Sequence, residues 1–213
     1  VYNSKETSNL MVGFNRRFSP HAKEVKKLIG SSPEPIKIIA NMNAGFIADD
    51  NWVNKENIGG GRIIGEACHL IDLCIFFASS LVTSICMNTI TNVNNEGINE
   101  GSILMQFSNG SNAIINYFTN GSNVYQKERV EIYSNKRTFI IDDYKNTYSY
   151  TDTSKRLIKN VYDKGHKNQF SKYIDALNNG HGSPIKLQEI INCAEASFAC
   201  VKSLREKKWI NIL

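Results

Sequence analysis

The sequence predicts an α+β fold, with a mostly antiparallel open sheet and helices packed on one face. Three observations carry that expectation. Six β-rich segments follow one another between Leu81 and Tyr150 with no helical period between them. Dipeptides suited to tight turns punctuate the run. Helical patterns stand on the flanks of this run instead of alternating with its strands.

The elements follow in chain order. Leu10 to Phe14 is a short apolar run, read as a strand, and it leads into Asn15-Arg16-Arg17-Phe18. Ser19-Pro20 supplies an N-cap and a first-turn proline for a helix over His21–Ile29. Ser31 to Pro35 is a linker, and Ile36 to Met42, rich in β-branched and apolar residues, is a strand. Asn43-Ala44-Gly45 and a loop with Asp49, Asp50 and Trp52 lead to Gly59-Gly60-Gly61, which opens a helix. The meander then comprises Leu81–Ile90, Ser102–Phe107, Ala113–Phe118, Arg129–Tyr133, Thr138–Ile141 and Thr147–Tyr150. Asn109-Gly110, Asn120-Gly121 and Ser134-Asn135 sit where hairpin turns are wanted. Alternation such as Arg129-Val130-Glu131-Ile132 gives the sheet one covered and one open face. Helices over Asn168–Asn178 and Leu187–Lys207 close the chain, separated by the break Asn179–Pro184.

Composition narrows the function. The 213 residues are 41% hydrophobic and 21% charged, a globular balance long enough for a substantial core. The formal charge of +5 is spread along the chain, which argues against nucleic-acid binding and suits an anionic small molecule such as a phosphorylated or nucleotide-linked sugar. The five cysteines form no CxxC pair, and four lie in apolar helical stretches. Free thiols in a reducing cytoplasm are the expectation. No apolar run approaches the roughly 18 residues of a membrane helix, and no signal peptide opens the chain, so a soluble intracellular protein with no membrane partner is expected.

The chemistry concentrates in Gly59-Gly60-Gly61-Arg62-Ile63-Ile64-Gly65-Glu66-Ala67-Cys68-His69-Leu70-Ile71-Asp72. At about 100° per residue, Arg62, Glu66, His69 and Asp72 share roughly a third of the helix circumference. Ile63, Ile64, Ala67, Leu70, Ile71, Cys74 and Ala78 take the opposite arc. A polar stripe of this kind also decorates ordinary surface helices. Three glycines, which let a ligand approach the backbone closely, favour a site. Glu66 and His69 alone are too few for a zinc centre. His166 either caps a helix or lines the site, His21 and His181 read as surface residues, and Arg16 is as readily a plain surface charge as a site residue.

Met11-Val12-Gly13-Phe14-Asn15-Arg16-Arg17-Phe18-Ser19-Pro20, Asn43-Ala44-Gly45, Trp52, the glycine-opened helix and the ending Gly182-Ser183-Pro184-Ile185 through Ser203-Leu204-Arg205 occur in this order. Together they resemble the glucose–fructose oxidoreductase, inositol dehydrogenase and MocA family of nicotinamide-dependent dehydrogenases. The wording of the glycine helix is most similar to a subgroup linked to polysaccharide and nucleotide-sugar pathways. The resemblance implies an N-terminal Rossmann domain that binds NAD or NADP, and a C-terminal α+β domain that contacts substrate and forms homo-oligomers through its open sheet. This chain is similar to the second part: it has no GxGxxG after a strand and no Glu-Lys-Pro segment. Residues 1–18 then correspond to the end of a truncated Rossmann domain, and 19–213 to the substrate-binding domain, inactive alone.

The resemblance assigns His69 to proton transfer, with Glu66 standing in for an aspartate of the family that is Gly65 here. It places Asn15 and Arg17 near the cofactor, and Arg62, Asn43, Trp52 and Asp72 near a sugar or nucleotide-sugar substrate. Moving hydride from a carbinol carbon requires removal of the hydroxyl proton, a task suited to an imidazole titrating near neutrality. Arginines suit a phosphate or carboxylate, and Asn43 a sugar hydroxyl. Asp72 also reads as a structural anchor and Trp52 as packing. A non-catalytic sugar-binding or scaffold module of the same fold is the alternative function.

Overall fold

The structure, a computed structural model, describes residues 10–31, 34–48, 51–90 and 98–212. The lead-in before Leu10, the middle of the Ser31–Pro35 linker, and Asp49 and Asp50 lie outside them.

Among the described residues one sheet holds nine strands. They are β1 (Lys37–Asn43), β2 (Val82–Asn88), β3 (Gly101–Phe107), β4 (Asn112–Phe118), β5 (Glu128–Ser134), β6 (Arg137–Asp142), β7 (Asn146–Tyr150), β8 (Ser154–Ile158) and β9 (Ile210–Asn211). Their order is β8-β7-β6-β5-β1-β4-β3-β2-β9. The fold is the expected α+β class. Period-two alternation builds the sheet: Ile38, Ala40 and Met42 of β1 and Val130 and Ile132 of β5 face the core, while Arg129 and Glu131 point to the other side.

Helices α1 (Pro20–Ile29), α3 (Cys68–Ala78) and α5 (Leu187–Glu206) cover the apolar face. The Ser19 hydroxyl caps α1 by accepting a hydrogen bond from the Ala22 amide at 3.0 Å. Cys193, Ala196, Cys200 and Leu204 keep helical spacing along α5 and are buried against the sheet and α3. Helix α4 (His166–Asn178) packs on the 3-10 turn Asn15–Phe18. All five cysteines are free.

The chain departs from the sequence reading in five places. Leu10–Phe14 is not a strand, because its backbone bonds locally, Phe14 to Val12 and Asn15 to Gly13 at 2.8 Å each, while Leu10 bonds the Ser183 side chain. Asn120-Gly121 closes no hairpin: β1 sits between β4 and β5, parallel to the first and antiparallel to the second. Gly121 serves a close approach instead, since a Cβ there would collide with the Asn43 amide. The glycine run breaks a helix before it opens one: α2 (Glu56–Gly59) ends, Gly60 and Gly61 turn at φ of 73° and 78°, and a π-turn Ile63–Ala67 leads into α3. The strands β8 and β9 are additional to those read from sequence. His21 is fully buried, bonded to the Thr147 hydroxyl and the Val161 carbonyl at 2.7 Å each, because α1 faces the β7–β8 end of the sheet.

Candidate active site

The parallel pair β1 and β4 ends at Asn43 and Phe118, and both chains leave the sheet at the same end. Beside that end lies a cleft of about 540 Å³. Its walls come from four directions: Met11 to Arg16, Glu66 of the π-turn with His69 at the start of α3, Met42 and Lys127 at the sheet, and Tyr162 to Phe170 around α4.

The π-turn sorts the polar stripe of the helix. An extra residue in one turn shifts the phase of what precedes it, which turns Arg62 from the cleft, while Asp72, beyond the π-turn, faces Arg17 instead. Glu66 and His69 line the cleft, whereas Arg62 and Asp72 are buried. The His69 imidazole meets the Phe14 ring edge-on at 5.8 Å, and its Nδ1 is buried with no hydrogen-bond partner among the described residues. Burial first, then the Arg16 guanidinium, pushes the imidazole down to about 4 against the pull of Glu128 and Glu66. The expected titration near neutrality is therefore corrected: desolvation keeps this histidine neutral across the physiological range.

Glu66 is held from behind. Its Oε2 accepts hydrogen bonds from the Tyr117 hydroxyl and, at 3.4 Å, from Arg62. Arg62 donates to the Gly45 carbonyl at 2.7 Å, lies over the Tyr117 ring at 5.3 Å, and leaves its Nε buried without a partner among the described residues. It thus joins the turn after β1 to the acid in the cleft. Gly65, which the resemblance reads as an aspartate position, is exposed.

A second cluster was not legible in the sequence. Glu128, fully buried in side chain, accepts from Arg16 at 2.6 and 3.0 Å and from Lys164 at 2.5 Å. Burial alone would raise its carboxyl, but Arg16 and Lys164 outweigh that and hold it below the usual range. Asn15 donates to the Lys164 carbonyl at 2.8 Å, and Gln169 to the Val12 carbonyl at 2.6 Å, so both walls of the cleft are tied together. Arg16 is 112 residues from Glu128, and no local pattern signals such a pair. His166 opens α4, exposed, at the mouth of the cleft.

The remaining candidates sit elsewhere. Arg17 and Asp72 grip each other at 2.6 and 2.9 Å, and Arg17 also holds Glu189 at 2.6 Å. This buried pair fastens the Asn15–Phe18 turn to α3 and α5, apart from the His69 cleft. Asn43 lines an adjoining pocket and donates to the Ser122 carbonyl at 2.7 Å. Trp52, in the 3-10 turn Trp52–Asn54, is 62% exposed. Among the described residues no group of three or more His, Cys, Asp or Glu side chains is placed to hold a metal ion, and no helix is long and apolar enough to cross a membrane.

The fold has known counterparts. The chain is 26% identical over 203 residues to an uncharacterized oxidoreductase, YrbE, of Bacillus subtilis (strain 168), matching 90% of this chain and 54% of that relative, so it spans about half the relative's length. It superposes on an oxidoreductase domain protein from Kribbella flavida with a TM-score of 0.84 at 17% identity, over 97% of this chain and 66% of the other. An aldose-aldose oxidoreductase from Caulobacter crescentus complexed with glycerol gives 0.79 at 14% identity, over 95% and 64%. The family model described as GFO/IDH/MocA C-terminal domain matches residues 29–140, more than half of the chain, and with the whole architecture in agreement the chain belongs to that family.

Proposed function

We propose that this chain is the substrate-side domain of an oxidoreductase that moves hydride between a hydroxyl-bearing carbon of a sugar, nucleotide sugar or cyclitol and a nicotinamide. The carrying observation is that His69 and Glu66 line one cleft, with burial keeping the His69 imidazole neutral at pH 7. Membership of the family and the oxidoreductase relatives support this reading.

The cleft fits the reacting end of such a cofactor. Met11 and Phe170 offer apolar surface, Gly13 leaves an open wall, and the His69 imidazole lines the same cleft. A bound NAD or NADP supplies the two-electron hydride acceptor or donor. Asn15 and Met11 would hold its nicotinamide end, the chain's own glycines offering no phosphate cradle after a strand. His69 accepts the hydroxyl proton as hydride leaves. A carbonyl that still carried that proton would be a strong acid, so an imidazole titrating near 4 is a sufficient base. Glu66, clamped by Tyr117 and Arg62, presents its carboxylate to the same cleft and favours the imidazolium once it forms. Arg62 acts here by holding Glu66, and Arg17 and Asp72 by fastening the Asn15–Phe18 turn, while Asn43 would meet the substrate from the adjoining pocket.

The glycine-helix wording supports the polysaccharide and nucleotide-sugar subgroup, and the free thiols support a cytoplasmic setting. The chain alone is expected to lack turnover, because the cofactor's phosphates have no cradle in it. In the intact polypeptide, His69→Ala should lower kcat by roughly 10²- to 10⁴-fold with nicotinamide binding retained. Unchanged kcat would overturn the assignment. A wild-type protein that binds sugar but turns over none would favour the scaffold module instead.

A further inference from the structure

The ion cluster behind the cleft is unbalanced. Glu128, fully buried in side chain, receives Arg16 on both oxygens, Nε on Oε2 at 2.6 Å and Nη2 on Oε1 at 3.0 Å. Lys164 meets only Oε1, at 2.5 Å, an oxygen it shares with Arg16. One carboxylate offsets one cation, and the two-point fork of Arg16 takes it. Asp163, the acid beside Lys164 in sequence, accepts from the Gly165 amide at 2.6 Å. The charge of Lys164 is therefore left over. Two of its three N–H bonds have no acceptor among the described residues.

The surrounding structure fixes this lysine firmly. Its side chain is 13% exposed and lines the His69 cleft. The Tyr144 and Tyr162 rings lie 6.0 and 5.8 Å from its Nζ. Its carbonyl accepts from Asn15 at 2.8 Å. Gly165 follows at a φ of 90°, where a Cβ would lie 2.4 Å from the Asn15 carbonyl oxygen, so no larger residue fits between Lys164 and the Asn15–Phe18 turn. Backbone and ammonium are both placed before any ligand arrives. A donor held in this way stabilises charge that develops during a reaction, because it need not reorganise to meet it.

We propose that Lys164 is a further catalytic residue, donating a hydrogen bond to the oxygen from which His69 takes the proton. This rests on the oxidation reading above and adds the group that carries the oxygen's charge. In that step the hydroxyl proton passes to His69 and the O–H electron pair becomes the second C–O bond. The hydride leaves the carbon with the C–H pair, and no bond forms or breaks at Lys164. Its positive charge makes the hydroxyl more acidic, which a base as weak as the buried His69 requires. In the reverse direction the same donor polarises the carbonyl.

Glycerol and glycerate test this on the chain itself, since the carboxylate of glycerate offers the cleft a charged oxygen. Calorimetric titration should give glycerate about tenfold the affinity of glycerol or more. The NMR signals of the Lys164 and His69 side chains should move together as it binds. Lys164→Met should erase the preference, and it leaves Glu128 matched by Arg16, so the cluster stays balanced. Lys167→Met removes the same charge from an exposed position of α4 outside the cleft and should keep the preference. In the intact polypeptide Lys164→Met should lower kcat by roughly 10²- to 10³-fold with KM little changed. Equal affinity for the two ligands, a preference that survives Lys164→Met, or one lost equally in Lys167→Met would overturn the proposal. If Lys164→Met loses the preference while His69→Ala leaves kcat unchanged, the lysine site stands and the oxidation reading falls. If Lys164→Met keeps both the preference and kcat while His69→Ala loses turnover, the oxidation reading stands and the role of Lys164 falls.

Discussion

His69 shows how far burial can move a side chain from its ordinary chemistry. Its imidazole falls from 6.5 to about 4 as the protein folds, so between those values the unfolded chain binds more protons than the folded one. Stability from this group is therefore complete above about pH 6.5 and is lost as the pH drops toward 4, by up to roughly 3 kcal/mol. Urea unfolding at pH 7 and pH 4.5 should show that loss in the wild type and a clearly smaller one in His69→Asn. His21, also lowered by burial, contributes with the same sign and remains in the variant. An equal loss in both proteins would mean that His69 is solvated. The adjacency of Glu66 and His69 on one helix was legible in the sequence because one turn separates them. The Arg17–Asp72 pair was not, because 55 residues intervene and only the packed turn brings them together.

At the scale of elements, the glycine run has a divided role that a helical wheel does not reveal. A Cβ on Gly59 would lie 2.7 Å from the Trp52 carbonyl oxygen and 2.8 Å from the Val53 Cα, both backbone, and Gly60 turns at a φ of 73°. Gly59→Ala should cost about 1–3 kcal/mol through overpacking and Gly60→Ala about 1–2 kcal/mol through strain, with Glu66 losing its placement in each. Gly65 differs, since a Cβ there meets the Gly59 carbonyl oxygen at an ordinary 3.6 Å. Gly65→Ala should leave stability unchanged or raise it by up to about 1 kcal/mol. Thermal melts of the three variants check the order, and a destabilised Gly65→Ala would contradict it. The hydrophobic period located the helix correctly. The π-turn escaped it, because an inserted residue changes the phase without changing the residue types.

For the whole molecule, the open face of the sheet is the consequential feature. Leu104 pairs with Ile114, Ile114 with Ile39, and beyond Glu131 the same row continues through Ile140 to Tyr148. Leu104 and Ile114 are exposed at 42% and 37%. A homo-oligomer that buries this row is the partner proposed for the face. Light scattering should show the intact protein as an oligomer and a Leu104→Lys, Ile114→Lys double variant as a monomer with unchanged circular dichroism. A monomeric wild type would remove the proposal.

By itself the sequence determined what depends on near neighbours. Alternation set the faces of the strands, Ser19-Pro20 the start of α1, and one helical turn the pairing of Glu66 with His69 at a single wall. The tertiary structure decided what depends on distance along the chain. It inserted β1 between β4 and β5, closed the Arg16–Glu128–Lys164 cluster, turned Arg62 and Asp72 inward, and buried the His69 imidazole. The physical reason is the range of the forces involved. Backbone geometry and side-chain period act within a few residues, whereas desolvation and ion pairing act between whatever residues the packed core brings into contact.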